Sequence, residues 1–321
     1  MSGMTDIILD PELVGLAAAI PPLDLTDLAA ARESERHIVA HLAAYESRTP
    51  LTVRDLLVPG PAQAPDVPVR VYAPAGHTEP LPALLYLHGG AYVMGSLALT
   101  DTPARQIADR AGVVVVAVDY RLAPEHPYPA GLEDCYAALG WLSGEGAALG
   151  VDTGRIGVLG ESAGGGLAAA LTLLSRDRGG PRLIAQFLDA PTVDDRLGTP
   201  SMRDLPDTPI WQARNSVHSW RLYLKGTAEP GGPDVPVHAA PARARVRDLA
   251  GLPPAWTVAY QIDPTRDEGI DYARLLMQAG VPTELHHYSG AFHVAHAIPG
   301  TAIGERMIAD RIEAIGRLLG A

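Results

Sequence analysis

The length, composition and charge of the chain exclude several classes of protein before any motif is considered. Of its 321 residues, 47% are hydrophobic and 19% charged, which is typical of a folded globular protein and not of a disordered one. The formal net charge of −12, with Lys225 as the single lysine, opposes binding to nucleic acid or to an anionic membrane surface.

The N-terminal residues do not show the pattern of a targeting or membrane-anchoring segment. Residues 1–6 contain no basic stretch, and Asp10, Pro11 and Glu12 interrupt the apolar residues around them. No uncharged segment is long enough to cross a bilayer. We therefore expect a cytoplasmic protein with no membrane partner. Because Cys135 is the single cysteine, no internal disulfide can form, and we expect a buried, inert thiol.

Strand and helix patterns alternate along most of the chain. The sequence predicts a first helix near residues 25–45 and then an alternating edge strand at 67–72. Apolar, β-branched runs then predict strands at 84–88, 113–119, 156–159, 184–188, 256–262 and 283–288. Amphipathic or alanine-rich segments predict helices at 101–111, 130–149, 163–177, 267–279 and 302–319. This order indicates a doubly wound α/β protein whose parallel sheet is covered on both faces, and the proline-rich region 192–240 indicates an insertion.

A glycine-flanked serine stands between a predicted strand and a predicted helix. The segment Gly160-Glu161-Ser162-Ala163-Gly164 has the G-x-S-x-G pattern of a strained turn that lifts a serine hydroxyl above a sheet. The helix that follows adds partial positive charge where a negative oxygen would develop. The segment lacks the glycine spacing of a dinucleotide site and the lysine of a phosphate-binding loop. We predict Ser162 as a nucleophile; the alternative is a glycine-rich turn without activity.

A second glycine-rich loop follows the strand at 84–88. Its residues Gly89 and Gly90, together with Ala163, offer backbone N–H groups that form a candidate oxyanion hole. His88 is expected to order this loop and not to act as a base. Ala91 stands where such loops usually carry a third glycine, and its methyl group narrows the space, so esters of bulky tertiary alcohols are expected to be poor substrates.

A candidate acid and a candidate base follow the nucleophile in the chain. Asp263 lies at the carboxyl end of the strand at 256–262, and His293 lies on the loop after the strand at 283–288. The order serine, acid, histidine is that of the α/β-hydrolases, in which the histidine takes the serine proton and the acid orients the histidine. His296 is the main alternative to His293 as the base.

Three further sets of residues lie near this candidate site in the sequence or are candidates for its substrate pocket. Asp267 and Glu268 are expected to cap and charge the start of the following helix. The histidines at 286, 287, 293 and 296 lack the spacing of a known metal motif, so no metal is expected. The candidate substrate pocket is formed by Ala91, Tyr92, Trp211 and Trp220, although a packing role for the aromatic residues is an equal alternative.

Five segments together carry a resemblance to a known family. They are His88-Gly89-Gly90-Ala91, Asp119-Tyr120-Arg121-Leu122-Ala123-Pro124-Glu125, Gly160-Glu161-Ser162-Ala163-Gly164-Gly165, Asp263-Pro264-Thr265-Arg266-Asp267-Glu268-Gly269 and Gly290-Ala291-Phe292-His293. In this order they resemble bacterial members of the hormone-sensitive-lipase family of esterases, in the α/β-hydrolase superfamily. Segments near Trp211, Asn215 and Trp220 more specifically resemble the heroin-esterase-like members.

The resemblance implies a fold and an activity. The fold is the α/β-hydrolase fold, a mostly parallel eight-stranded sheet with helices on both faces and a helical cap. Residues 1–50 and 192–237 would form the cap, and residues 51–191 and 238–321 the core. The activity is that of a serine carboxylesterase that hydrolyses short-chain acyl or aryl esters through an acyl-enzyme, without a cofactor.

The resemblance also marks supporting residues and two departures. Glu125 and Asp134 would support the structure near the site. Ala91 departs from the family's glycine, and Thr265 stands where leucine is common beside the acid. An amidase, lactonase or acyltransferase with the same three residues, or a non-catalytic small-molecule binding protein, are the alternatives. The expected partner is a small-molecule ester, and a homodimer is a further candidate assembly.

Overall fold

The computed structural model describes residues 8–41, 45–298 and 300–321, and its centre is one eight-stranded sheet. The strand order is β1-β2-β4-β3-β5-β6-β7-β8. The pairs β1–β2 and β2–β4 are antiparallel, and all the other neighbouring strands run parallel. The strands are β1 Leu51–Val58, β2 Val67–Pro74, β3 Leu81–Leu87, β4 Val114–Val118, β5 Val151–Glu161, β6 Ala185–Asp189, β7 Ala255–Ile262 and β8 Thr283–Phe292. The predicted mostly parallel α/β-hydrolase sheet is thereby confirmed.

Helices cover both faces of this sheet. Successive side chains of β3 alternate between two hydrophobic clusters, with Leu85 and Leu87 in one and Leu84 and Tyr86 in the other. Residues of α4, α5 and α8 complete the first cluster, and residues of α3 and α9 complete the second. The helices are α1 Pro11–Ala19, α2 Leu28–His41, α3 Leu97–Ala111, α4 Ala130–Glu145, α5 Ala163–Asp177, α6 Pro200–Asp204, α7 Ala213–Tyr223, α8 Arg266–Gln278 and α9 Ala302–Leu319.

Strand β1 and helix α1 were not predicted from the sequence, and neither were the short helices α6 and α7 within the predicted insertion. Strand β1 lies at the edge of the sheet, and most of its side chains are partly or fully exposed, so it lacks the apolar run that marked the central strands. Helix α1 is only nine residues long and begins at Pro11, with the Asp10 side chain accepting a hydrogen bond from the N–H of Glu12. The same Asp10 and Pro11 that interrupt the apolar pattern are therefore the residues that start this helix.

The two segments of the predicted cap, residues 1–50 and 192–237, contact each other and the glycine-rich loop that follows β3. Leu25 and Ala31 pack with Trp211 from the insertion and with Ala91 and Val93 from the glycine-rich loop. Arg32 on α2 donates a hydrogen bond from its Nε to the carbonyl of Val93. The predicted helix at 25–45 is α2, and its residues 42–44 lie outside the described residues. The division into cap residues 1–50 and 192–237 and core residues 51–191 and 238–321 remains our proposal.

Within the described ranges, no helix is both long and apolar enough to pass through a lipid bilayer.

Candidate active site

Ser162 lies in a tight turn between β5 and α5. Its φ of 55° and ψ of −119° are unfavourable for a residue with a side chain, so the surrounding structure must hold this conformation. Two glycines make the turn possible. A Cβ atom on Gly160 would lie 1.9 Å from the carbonyl oxygen of Gly164, and one on Gly164 would lie 2.1 Å from that of Leu87. The Ser162 N–H donates to the carbonyl of Asp189 at 2.8 Å, which fixes the turn to the neighbouring strand.

The structure brings Ser162, His293 and Asp263 into one hydrogen-bonded series. The Ser162 Oγ lies 2.9 Å from His293 Nε2, and His293 Nδ1 lies 2.6 Å from Asp263 Oδ2. All three side chains are buried, with exposed fractions of 7%, 3% and 0% in that order. An imidazole with its proton on Nδ1 donates to the carboxylate and leaves Nε2 to accept the serine proton. Residues far apart in the chain therefore form the geometry of a nucleophile with its base.

The electrostatic surroundings of His293 favour its protonated form. Burial alone would lower the pKa of this imidazole, but the Asp263 carboxylate, with further contributions from Asp189 and Glu161, raises the pKa above its ordinary value. An imidazole of this kind is a better proton acceptor from a serine than one in water.

Thr265 takes a role that the sequence did not reveal. Its N–H and its Oγ hydroxyl both donate to Asp263 Oδ1, each at 2.8 Å, while the other carboxylate oxygen faces His293. The residue that departs from the family's leucine therefore holds the carboxylate in its orientation. A leucine at 265 would supply the N–H but not the hydroxyl.

The glycine-rich loop lies directly against the nucleophile turn. A Cβ on Gly89 would stand 3.5 Å from the Ser162 Cβ, and Gly90 has a φ of +125° that a side chain would strain. A Cβ on Gly90 would also lie 2.1 Å from the carbonyl oxygen of Met94. Of the candidate oxyanion residues, Gly89 therefore lies against Ser162, Gly90 follows it in the same loop, and Ala163 follows Ser162 in the chain. Ala91 has a φ of 57° and is buried within the cluster shared with Leu25 and Trp211.

His88 orders the same loop. Its Nδ1 hydrogen-bonds to the carbonyl of Gly89 at 2.7 Å, and its ring stacks on Tyr120 with 4.2 Å between ring centroids. Burial lowers the pKa of His88 to about 4, so the ring is neutral at physiological pH. A neutral ring engaged with the loop backbone is suited to ordering the loop.

The candidate pocket residues occupy different surroundings. Trp211 lies beside His293, with 6.1 Å between their ring centroids, and its indole N–H donates to Ser216 Oγ at 2.9 Å. Trp220 is fully buried and packs against Tyr92 and Tyr223 in the main core. Tyr92 stacks on Tyr223, and its hydroxyl donates to the carbonyl of Thr192. These contacts favour a packing role for Trp220 and Tyr92, whereas Trp211 lies beside His293.

The two acidic residues that were expected to cap and charge the start of α8 lie in its first turn, but their carboxylates bond to other segments of the chain. Asp267 accepts a hydrogen bond from the Ser201 N–H at 2.7 Å, and Glu268 accepts one from the Val193 N–H at 2.8 Å. Burial raises the pKa of Glu268 well above its ordinary value. The expectation that they cap α8 is therefore wrong, and their bonds instead connect its first turn to residues 193 and 201.

The residues that were expected to support the site form ion pairs. Asp134 is buried and receives hydrogen bonds from the N–H and guanidinium of Arg121. Glu125 makes a two-point ion pair with Arg32, and thereby connects the segment after β4 to α2. Cys135 lies fully buried on α4, and burial raises the pKa of its thiol.

A cluster of charged residues lies behind the nucleophile turn and was not predicted. We call Glu161, Asp189, His296, Arg311 and Tyr260 the Arg311 cluster. The first three have ligand atoms within 4.8 Å of one another, a spacing that a metal ion could use. The Arg311 guanidinium, however, already contacts all three, at 2.6 Å, 2.5 Å and 2.8 Å in that order. The positive charge between these ligands is thus that of arginine. Only His296 had been singled out, as an alternative base, and it lies in this cluster.

Comparisons with known proteins agree with this geometry. Residues 84–297 match a family described by the alpha/beta hydrolase fold. "Esterase LipI" of Mycobacterium tuberculosis is 38% identical over 288 residues, which are 89% of this chain and 87% of the relative. "Carboxylesterase NlhH" of the same organism is 42% identical over 261 residues, or 80% and 77% of the two chains. The solved structure "Bacterial Heroin Esterase" is 41% identical, with a TM-score of 0.94 over 97% of this chain and 98% of that one.

The chain belongs to the alpha/beta hydrolase fold family, in its hormone-sensitive-lipase-like group, and the resemblance drawn from the five sequence segments is confirmed.

Proposed function

We propose that the protein is a serine carboxylesterase that hydrolyses short-chain acyl or aryl esters through an acyl-enzyme. The hydrogen-bonded series from Ser162 through His293 to Asp263 is the observation that carries this proposal. The similar proteins described as an esterase, a carboxylesterase and a heroin esterase support it. The proposed small-molecule partner is therefore an ester, and the chemistry needs no group beyond the chain and water.

The proposed reaction has two steps. Ser162 Oγ attacks the ester carbonyl carbon while its proton moves to His293 Nε2, and the carbonyl oxygen becomes an oxyanion facing the backbone N–H groups of Gly89, Gly90 and Ala163. The tetrahedral intermediate collapses, the carbon–oxygen bond to the alcohol breaks, and His293 returns the proton to the departing alcohol. Water then attacks the acyl-enzyme by the same path in reverse and releases the acid and Ser162. Asp263 stabilises the imidazolium throughout.

The preference for a short acyl chain rests on the packing around the glycine-rich loop. Ala91 and Trp211 are both buried in one cluster with Leu25, which brings apolar side chains of the cap to the loop beside Ser162. A series of p-nitrophenyl esters from acetate to decanoate tests the proposal, with kcat/KM expected to be highest for the short chains. A matched anilide of the best acyl group separates an esterase from an amidase. A preference for the long chains, or for the anilide, would contradict the proposal.

The activity should depend on pH through His293. Only the neutral imidazole can accept the serine proton, so kcat/KM is lost as the pH falls through the pKa of this residue and is fully present above it. Because the pKa of His293 is raised, we expect the midpoint of this loss to lie above 6.5, the ordinary value for histidine. The measurement is kcat/KM against pH with a substrate that does not titrate. A midpoint well below 6.5 would show that the carboxylates near His293 do not control its protonation.

We also propose that two copies of the chain form a homodimer. Strand β8 ends the sheet and pairs only with β7 among the strands in the described part of the chain, so that apart from the Gly290 carbonyl, which accepts the Asp10 N–H, its outer edge offers backbone groups for pairing with a second copy. Light scattering coupled to size-exclusion chromatography measures the mass in solution.

A further inference from the structure

We infer that the Arg311 cluster is a positioning element for His293, which ties the loop that carries this base to the turn that carries Ser162 and places net negative charge near the imidazole. The inference rests on the proposed function, because it assigns the cluster a part in the work of the same base. It adds to the reaction a set of residues that touch neither the substrate nor the reacting atoms.

The members of the cluster are close neighbours in sequence of the three reacting residues. Glu161 directly precedes Ser162, Tyr260 lies three residues before Asp263, and His296 lies three residues after His293. Asp189 is joined to the same turn because its carbonyl accepts the Ser162 N–H. Each segment that supplies a reacting side chain therefore also supplies a side chain to the cluster, so the cluster fixes these segments relative to one another.

One series of hydrogen bonds in the cluster leads from Arg311 through His296 and Tyr260 to Asp189. Arg311 Nη2 lies 2.8 Å from His296 Nε2, and because a guanidinium can only donate, this nitrogen accepts. The proton of His296 is then on Nδ1, which donates to the Tyr260 hydroxyl at 2.8 Å. The Tyr260 hydroxyl in turn donates to Asp189 Oδ1 at 2.8 Å. Both ring nitrogens of His296 are therefore engaged within the cluster, Nε2 lying also 3.2 Å from Glu161 Oε1, and neither is available as a base for Ser162.

The cluster carries more negative than positive charge. Two carboxylates, those of Glu161 and Asp189, face one guanidinium, that of Arg311, which is 3% exposed. Burial alone would raise the pKa of Glu161, but the Arg311 guanidinium lowers it below its ordinary value, so the carboxylate stays ionised. Buried charges interact strongly because little water screens them. The excess negative charge therefore stabilises a positive charge that develops nearby.

His293 is the group on which this charge acts. Asp263 on the loop after β7 contacts it at 2.6 Å, and the carboxylates of Asp189 at the end of β6 and Glu161 at the end of β5 add to the negative charge that acts on it. Glu268 on α8 interacts electrostatically with Asp263, and Arg311 on α9 offsets part of the charge of Glu161 and Asp189. Since His293 becomes an imidazolium in each step of the proposed reaction, the net charge of the cluster favours the transition state over the resting state.

The test is the substitution Glu161→Gln, which keeps the size of the side chain and removes one negative charge. The acidic limb of kcat/KM against pH should move to lower pH by several tenths of a unit, and kcat should fall about 10-fold with little change in KM. Glu161→Asp keeps a carboxylate at this position, so the acidic limb of its pH profile should lie where it does in the unmodified protein. Glu133→Gln is the matched control, because Glu133 pairs with Arg178 at the protein surface and should leave the profile unchanged.

A second variant separates the structural effect of the hydrogen bonds in the cluster from the effect of its charge. Tyr260→Phe removes the hydroxyl between His296 and Asp189 without changing the charge of the cluster, so kcat should fall several-fold while the acidic limb stays in place. Circular dichroism and thermal melts show whether each variant is folded. If folded Glu161→Gln and Tyr260→Phe proteins both keep the kcat and the pH profile of the unmodified protein, the cluster does not position the base and the inference is overturned.

A measurement without turnover distinguishes the failure of this inference from failure of the proposed function. Histidine NMR titration reports the midpoint of His293, assigned as the resonance lost in His293→Asn, and the midpoint should be lower in Glu161→Gln than in the unmodified protein. If the unmodified protein hydrolyses no ester, but the His293 midpoint is still lower in Glu161→Gln, only the proposed function is contradicted. An active protein whose His293 midpoint does not respond to Glu161→Gln contradicts only the inference.

Discussion

Replacement of Ser162 by alanine is expected to lower kcat for p-nitrophenyl acetate by about a million-fold, the loss typical of removing the nucleophile of a serine hydrolase. The substitution removes the oxygen that attacks the ester and the hydrogen bond from Ser162 Oγ to His293 Nε2. It leaves the backbone contacts of the turn in place, including the N–H bond to Asp189. Alanine is no less suited than serine to a φ of 55°, so the protein should remain folded with a melting temperature close to that of the unmodified protein.

The control for this experiment is another buried serine on the helix that follows the nucleophile. Ser175→Ala removes a hydroxyl that donates to the carbonyl of Pro181, and it should leave kcat unchanged while lowering the stability slightly. Full activity in a folded Ser162→Ala protein would contradict the assignment of the nucleophile. Loss of activity in both variants would point to a general effect on the helix and not to chemistry at Ser162.

Replacement of Asp263 by asparagine is expected to lower kcat by up to about 10,000-fold through the wrong imidazole tautomer. Thr265 donates two hydrogen bonds to the oxygen Oδ1, so the amide oxygen of the asparagine will occupy that position. The amide nitrogen then faces His293 Nδ1 and donates to it. The imidazole proton is forced onto Nε2, which can no longer accept the proton of Ser162.

The matched control is Asp267→Asn, four residues further along the chain. Asp267 accepts the N–H of Ser201 and pairs with Arg266, and it does not contact His293 in the described part of the chain. This variant should keep most of its activity. If Asp263→Asn has unchanged kinetics and Asp267→Asn is inactive, the acid is Asp267 and the geometry described here is not that of the working enzyme.

The local patterns of the sequence predicted the fold well because each depends on neighbouring residues. The central strand β4 is a run of valines with one alanine, and the helix α5 follows the glycine-flanked turn directly, so both could be placed from a few residues. The α/β-hydrolase fold and the family were confirmed by the structure and by the similar proteins. Strand β1 was missed because an edge strand shares its pattern with a surface loop.

The partners of the site could not be predicted in the same way. Arg311 reaches Glu161 across 150 residues of chain and Asp189 across 122, and no local pattern marks such pairs. The sequence offered both His293 and His296 as bases, and only their partners in space distinguish them. Thr265 was noticed as a departure from the family, but its hydrogen bond to Asp263 depends on the backbone of the loop.

The location of Cys135 has a practical consequence for following the cap in solution. Its thiol is fully buried and its pKa is raised by burial, so it reacts poorly with maleimides at neutral pH. Thiol-reactive dyes should therefore label the unmodified chain only weakly. A cysteine placed at the partly exposed Val217 on α7 would accept a single fluorophore, and a second dye at an exposed position of the core would report the distance between them as an ester enters.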